Sequence, residues 1–369
     1  MSQSICRWGI LSTAGIAKKN WHSIALSENA AVTAVASRSV EKAEAFIREC
    51  QASAPVPGEI AALGSYDELL ARTDVDAVYI PLPTGLRTEW VVKAAEAGKH
   101  VMVEKPVGVT ANDVRAMIQA CDKAGVQLMD GVMFMHSSRM QAMRDALDDP
   151  NQIGEIRRIT SLFSFCADDA WVNSNIRASS SLEPAGCLGD LGWYTIRITL
   201  WAMKYELPVE VRGRILFGAK RPDSPDDVPM EFQGEMHFRN GTSATFFNSF
   251  RTHHTQLVNV SGSKGYLQMN DFVLPYYGNN VEFEVASHQF VADGCRFSME
   301  RHSRTTSLPE YSNNARTAQE TNLFRTFSQL VVEGRRDSFW PEVALKTQLV
   351  LDAALKSARN NGQPIDPMA

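Results

Sequence analysis

The rhythm of the first 130 residues leaves few folds open. Short apolar runs alternate with amphipathic helical stretches. "RWGIL" precedes a helix from about Ala14 to Leu26, and "AVTAVAS" precedes "VEKAEAFIREC". "DAVYI" comes before "TEWVVKAAEAG", and "HVMV" before a helix from about Thr110 to Ala124 that leads into "VQLMDG". Strands separated by helices of this length need crossover connections, so they form a parallel sheet covered by helices. Gln51 to Gly64, rich in Ala, Pro and Gly, reads as a surface loop before "SYDELLA".

From about residue 155 the rhythm changes. "EIRRITSLFSF", "MEFQGEMHFRNGTSATFFNSF", "LVNVSGSKGYLQM" and "NVEFEVASHQFV" alternate as strands do, with turn residues between them. Asn240-Gly241 predicts a two-residue type I′ hairpin turn with positive φ at both positions. "PDSPDDVP" (222–229) is a polar, proline-rich loop, and helices return at about 314–334 and 341–360, the latter with Pro341 in its first turn. A chain of 369 residues is too long for one ordinary core. The expected fold is α/β: an N-terminal Rossmann-like parallel-sheet domain over 1–130, then a C-terminal α+β domain over 131–369 with a large, mostly antiparallel open sheet. The helix at 341–360 is expected to pack back near the first domain.

Composition narrows the functional classes. With 44% hydrophobic and 21% charged residues the chain can bury a sizeable core and is not disordered. A net charge of -5 without a basic block argues against nucleic acid as a partner. The six cysteines are scattered and form no CxxC, as reduced, packed cysteines do. The opening "MSQSICRWGIL" lacks the apolar run of a signal peptide, and no stretch approaches a transmembrane length. The expectation is a soluble, cytoplasmic protein with no membrane partner. His253-His254 has no ligand at metal spacing, so no metal is expected.

"GILSTAGIA" follows the first strand and opens the first helix. Small residues there let a helix N-terminus approach a pyrophosphate. Aligned to G-x-G-x-x-G/A, the stretch places Ser12, Ala14 and Ala17 at the glycine positions, so both leading glycines are replaced. A tight strand-to-helix turn without a ligand would read the same way. NAD sites usually carry Asp or Glu at the end of the second strand. Here that strand ends Ser37, Arg38, Ser39, with Lys42 following. Hydroxyls and a guanidinium suit a 2′-phosphate, which an acid would repel. Arg38 as a solvated loop residue is the other reading.

"HVMVEKPVG" ends an apolar strand in Glu104, Lys105 and Pro106, and nothing about turn-making requires an ion pair there. With "SYDELLARTDVDAVYIPLPTGLRTEWVVKAAEAGKHVMVEKPVG" around it, the segment resembles the glucose–fructose oxidoreductase and inositol dehydrogenase family (Gfo/Idh/MocA). The resemblance covers nearly the whole chain. It implies that Lys105 lies in the active site, fixed by a proline peptide that is often cis in the family. "AGCLGDLGWYTIRITLW" (185–201) resembles the family element G-G-G-x-L-x-D-x-G-x-H/Y, with Asp190 and Gly192 matching and Tyr194 in the catalytic position. A spacing of four places Asp190 and Tyr194 on one helical face. Tyrosine there resembles dimeric dihydrodiol dehydrogenase and NADP-dependent D-xylose dehydrogenases. Of the element's three glycines only Gly186 remains.

The resemblance implies NADP, with NAD less favoured, held by Ser12, Thr13, Ala14, Gly15 and Ile16, by Ser37, Arg38 and Lys42, and by Pro81, Leu82 and Pro83. Glu104, Lys105 and Arg177 complete the expected cofactor contacts, Arg177 being equally readable as part of an ion pair. Hydride transfer to or from a cyclic sugar or vicinal diol is implied, with Tyr194 as acid/base, Lys105 orienting substrate and lowering the tyrosine pKa, and Asp190 holding substrate or lysine. A cofactor-binding sensor and a redox-neutral glycoside-processing enzyme with tightly held NAD are the alternatives. His136, Arg139 and Trp193 are placed near the cleft without a role. A homodimer is expected through the second-domain sheet, from Met230, Phe232, Met236 and Phe238 with Phe246 and Phe250 on an exposed face.

Overall fold

The computed structural model describes residues 5–369; Met1–Ser4, part of the opening stretch read above, lie outside the described residues. The chain divides into two compact units. The first comprises Met1–His136, Ser181–Pro184 and Asn313–Gln348; the second comprises Ser137–Ser180, Ala185–Ser312 and Leu349–Ala369. The sequence boundary at 130 therefore falls six residues before the end of the first segment, and a later stretch returns to the first unit.

In the first unit, strands β1 (Cys6–Leu11), β2 (Ala30–Ala36), β3 (Ala61–Leu63), β4 (Ala77–Ile80), β5 (His100–Val103) and β6 (Leu128–Asp130) alternate with helices α1 (Gly15–Leu26), α2 (Val40–Ser53), α3 (Tyr66–Leu70), α4 (Thr84–Glu96) and α5 (Ala111–Ala124). The strands form one parallel sheet in the order β3-β2-β1-β4-β5-β6. The order reverses direction at β1, which places the loops after β1 and β4 at the switch point where such sheets take ligands. The stretch 51–64 is not all loop: α2 runs to Ser53 and β3 occupies its end.

The second unit holds α6 (Arg139–Asp148), β7 (Ile156–Cys166), α7 (Asp169–Ser174), α8 (Gly186–Asp190) and α9 (Gly192–Ala202). Strands β8 (Glu210–Ala219), β9 (Val228–His237), β10 (Ser243–Ser249), β11 (Arg251–Gly262), β12 (Tyr266–Met269), β13 (Asn280–Asp293) and β14 (Arg296–Pro309) follow. Eight strands form a sheet in the order β14-β13-β12-β11-β7-β10-β9-β8, antiparallel except at β10–β7. Two helices close the chain, α10 (Gln319–Val332) and α11 (Phe339–Arg359). Helix α10 belongs to the first unit because Phe324 and Phe327 pack on Trp8, with centroids 5.2 and 5.0 Å apart. Helix α11 runs from the first unit into the second.

Two expectations are corrected. The turn at Asn240-Gly241 is not type I′: Gly241 has φ +86°, while Asn240 is not a positive-φ residue. The Gly241 N–H donates to the Phe238 carbonyl and the Phe238 N–H to the Thr242 carbonyl, each at 2.9 Å. That pattern is a three-residue loop closing on a glycine bulge. Asn240 instead uses its side-chain oxygen to accept from the Thr242 N–H at 3.0 Å. The second correction concerns the apolar set Met230, Phe232, Met236, Phe238, Phe246 and Phe250, which is buried within the unit. Alternate residues of β9 and β10 face α8 and α9, which pack on β7, β9 and β10. The opposite face carries Leu162, Phe247 and Leu257, side by side on three adjacent strands and half-buried.

Candidate functional site

The expected phosphate loop lies between β1 and α1. Ser12, where the fingerprint has its first glycine, keeps a glycine-like backbone with φ 134°. Such a conformation costs a residue with a Cβ about 1–3 kcal/mol and tends to mark ligand loops. Its hydroxyl accepts from the Ala14 N–H at 3.3 Å and lies 3.5 Å from the Pro81 carbonyl, linking the loops after β1 and β4. Helix α1 begins at Gly15 with no side-chain cap and no carboxylate in its first turn, so its positive end is not neutralised locally. Gly15 and Ile16 are exposed there, and a Cβ at Gly15 would meet nothing.

At the end of β2, Thr13 Oγ1 and Ser37 Oγ are 3.4 Å apart. Arg38 and Lys42 are exposed. Ser39 is the N-cap of α2 and makes no side-chain cap bond. Two cations and a cluster of hydroxyls with no carboxylate closing strand β2 fit a 2′-phosphate.

Pro81, Leu82 and Pro83 form the turn from β4 into α4. Two devices that sequence reasoning missed fix it. The first two N–H groups of α4 are satisfied from 181–184: Glu183 Oε1 accepts from the Thr84 N–H at 3.0 Å and Leu182 O from the Gly85 N–H at 3.1 Å. Buried Arg87 donates through Nε to the Leu82 carbonyl at 2.7 Å and through Nη1 to the Pro106 carbonyl. Arg87 thereby ties the loop after β4 to the loop after β5. Its signal was an arginine in line with Val91 and Ala94 on the buried face of an amphipathic helix, where it must find carbonyls or acids.

The Lys105-Pro106 peptide is cis. Lys105 is half-buried, flanked by buried Glu104 and Pro106. The Glu104 carboxylate points inward: Oε1 accepts from the Tyr79 hydroxyl at 2.5 Å, and Oε2 accepts from the Lys105 N–H at 3.2 Å. Asn20 Nδ2 lies 2.6 Å from the Tyr79 oxygen. Tyr79 was legible as a phenol inside an otherwise aliphatic strand, where a hydroxyl needs a partner.

In the second unit, Asp190 ends α8 and Tyr194 is the third residue of α9. The join at Leu191 stays right-handed helical but tightens, with the Tyr194 N–H reaching the Leu191 carbonyl at 3.1 Å. The single helical turn expected between them is thus divided between two helices. Asp190 Oδ2 lies 2.6 Å from Arg177 Nε, an ion pair within this unit. The Tyr194 ring is buried and meets Phe163 edge-on at 5.7 Å. Phe163 in turn contacts the rings of His254 and Phe272. Gly186 survives from the three-glycine element for a steric reason: its φ is +48°, and a Cβ there would overlap the Pro229 carbonyl.

The residues expected near the cleft have packing partners. His136 stacks on Trp340 at 4.6 Å. Arg139 is buried and pairs with Asp271 at 2.6 Å. Trp193 is fully buried, 5.8 Å from the Arg197 guanidinium.

Comparison with known proteins places the chain. Residues 6–132 match the GFO/IDH/MocA oxidoreductase family, NAD-binding Rossmann fold, and 140–268 match the GFO/IDH/MocA C-terminal domain. The chain is 30% identical over 329 residues to a dTDP-3,4-didehydro-2,6-dideoxy-alpha-D-glucose 3-reductase of Actinomadura kijaniata, covering 89% of this chain and 88% of that protein. It is 32% identical over 264 residues to a D-xylose 1-dehydrogenase (NADP(+)) of Haloferax volcanii, covering 71% and 75%. A crystal structure of a 3-ketoreductase from Actinomadura kijaniata with NADP and TDP-benzene superposes with a TM-score of 0.77 at 26% identity, over 96% of this chain and 98% of that one. Structures of that ketoreductase include one with a tyrosine changed to phenylalanine and one with a lysine changed to alanine. On both halves of its length, this chain belongs to the GFO/IDH/MocA oxidoreductase family.

Proposed function

We propose that this protein is an NADP-dependent oxidoreductase that moves a hydride between nicotinamide and a hydroxyl-bearing carbon of a cyclic sugar or vicinal diol. The observation that carries the reading is the retention of both reactive groups, Lys105 in its clamped cis-proline segment and Tyr194 on α9. NADP, when bound, supplies or accepts the hydride, which leaves the protein one proton to manage. Tyr194 takes that proton from the substrate hydroxyl in oxidation and returns it in reduction. A free phenol has a pKa of about 10, and a nearby ammonium favours the phenolate. Lys105 supplies that ammonium and orients the reacting hydroxyl. Asp190, held by Arg177, steadies the polar side of the site.

Arg38, Lys42, Ser37 and Ser39 support NADP over NAD, because no carboxylate closes strand β2 to accept ribose hydroxyls. The relatives support a sugar substrate, and the named ketoreductases add reduction of a nucleotide-linked keto sugar to the reactions to be tried. The same proposal includes association of two copies through the outer sheet face bearing Leu162, Phe247 and Leu257.

An initial-rate screen tests the reading. Aldoses, inositols, anhydro sugars and aromatic dihydrodiols are offered with NADP⁺, and a nucleotide-linked 3-keto sugar with NADPH. NADP-dependent turnover of at least one class is expected. Arg38→Asp should raise the KM for NADP⁺ strongly and affect NAD⁺ less. Equal use of both cofactors by the wild type would contradict the assignment of this loop.

A further inference from the structure

We propose that His254 is a specificity-determining residue whose imidazole hydrogen-bonds a hydroxyl of the sugar or diol other than the one that reacts. The inference rests on the reading of Tyr194 as the acid/base and adds what the same face of the second-unit sheet recognises.

His254 is one of two adjacent histidines to which the sequence assigns no role. It stands in β11 two residues before Gln256, which pairs with Phe163 of β7, so His254 and Phe163 share a face of the sheet. Phe163 is the ring that Tyr194 meets edge-on at 5.7 Å. The His254 ring meets Phe163 edge-on as well, at 6.0 Å. Tyr194 and His254 are therefore neighbours on one aromatic floor, which Phe272 joins at 6.3 Å. Of these four residues Phe163, Tyr194 and Phe272 are buried, and His254 alone is exposed. An exposed imidazole beside a floor of buried rings offers a polar group to whatever lies on that floor.

The strand is shaped around this residue. Between Arg251 and Thr255 the register shifts: β11 advances four residues while β7 advances two, from Cys166 to Ser164. Bulges bend a strand, re-aim its side chains and collect beside active sites. Side chains hold this one, because the Ser164 hydroxyl donates to the His253 carbonyl at 2.7 Å and the Thr255 hydroxyl to the same carbonyl at 3.3 Å. Buried Gln256 fixes the other side. Its Oε1 accepts the Val273 and Leu274 N–H groups at 3.0 and 2.7 Å, and its Nε2 donates to the Leu274 carbonyl at 2.9 Å, which seats the stretch after Phe272. The same Nε2 lies 3.4 Å from His254 Nε2. An amide nitrogen only donates, so this contact favours the tautomer that accepts at Nε2 and carries its N–H at Nδ1. That N–H is a donor suited to a hydroxyl oxygen. A histidine that merely solvated a strand end would need neither the bulge nor the contact with Phe163.

A site built to hydrogen-bond a hydroxyl rejects the analogue that lacks it, and the test reads that rejection. The probes are the best substrate of the screen and its monodeoxy analogues, each missing one hydroxyl that does not react. In the wild type one analogue should have a kcat/KM about tenfold or more below that of the parent. His254→Phe keeps the ring contact with Phe163 and removes the hydrogen bond. The parent should then fall about tenfold, chiefly through its KM, to the level of that analogue. The analogue should lose nothing further, and the KM for the cofactor should stay unchanged. His254→Gln retains a donor and should regain part of the preference. A wild-type preference kept by His254→Phe, or an equal loss on the parent and every analogue, overturns the proposal. A His254→Gln that discriminates no better than His254→Phe overturns it too, because the hydrogen bond would not be the cause. Tyr194→Phe separates the two claims. If it keeps wild-type turnover, the reading of the tyrosine fails. If it is inactive while His254→Phe keeps the wild-type preference, only the present inference fails.

Discussion

Ser12 and His100 show how much one position can carry. Ser12 stands where a fingerprint glycine would be, and the sequence alone suggests a weakened phosphate loop. The backbone nonetheless keeps the positive φ that glycine serves, with the serine hydroxyl bonded across the loop. A motif written in residue types could not show that, because what shapes the loop is a backbone dihedral angle. His100, at the start of β5, accepts the Gln127 N–H through Nδ1 at 3.0 Å, which only an unprotonated nitrogen can do. Burial lowers its pKa below the ordinary value of about 6.5. The unfolded chain therefore binds a proton at pH values where the folded chain does not. Stability from this group is complete above about pH 6.5 and is lost as pH falls toward the folded value. Thermal unfolding from pH 7.5 to 5.5 should show a falling midpoint. His100→Gln should flatten part of that fall, since an amide oxygen can accept the same bond without titrating. Identical slopes for the two proteins would exclude this role.

At the scale of elements, the strands and helices of the parallel sheet were legible because buried strands and amphipathic helices have different periods. Three strands were not. β3 is only three residues long. β14 is almost wholly exposed along fourteen residues, so it has no buried face to write a period-two pattern. β8 loses its alternation at the register shifts around Ile215 and Phe217. The second-domain sheet shows the complementary failure: its apolar residues were legible, but the face they occupy was not. Met230, Phe232, Met236 and Phe246 point toward the helices, and the outward residues are the less apolar set around Leu162, Phe247 and Leu257. A cluster of large apolar side chains on an open sheet face suits an isologous interface. Light scattering at micromolar concentration should give a dimer. Phe247→Glu, which places a charge within that cluster, should give a monomer with an unchanged circular dichroism spectrum. A monomeric wild type would contradict the proposed interface.

At the scale of the whole molecule, each unit carries one of the two proposed reactive groups, and the chain's route explains why the sequence could name them but not their supports. Lys105 and Tyr194 sit in short motifs whose flanking residues are close in sequence. Asn20, Tyr79, Arg87 and Glu183 act through partners 19 to 99 residues away, which a linear reading cannot pair. The change of rhythm was legible from about residue 155, after the first segment has ended at His136. The return of 313–348 to the first unit was not, because it depends on Phe324 and Phe327 meeting Trp8. The central claim is that Tyr194 moves the proton and Lys105 sets its affinity, and one measurement addresses it directly: kcat against pH for the wild type, Tyr194→Phe and Lys105→Met on the best substrate. Oxidation by the wild type should rise through an apparent pKa below that of free tyrosine. Tyr194→Phe should lose about 10²–10⁴-fold while still binding NADPH, and Lys105→Met should lose a comparable factor with its inflection moved upward. Near wild-type turnover by Tyr194→Phe would contradict the account, because the proton would then travel by another group.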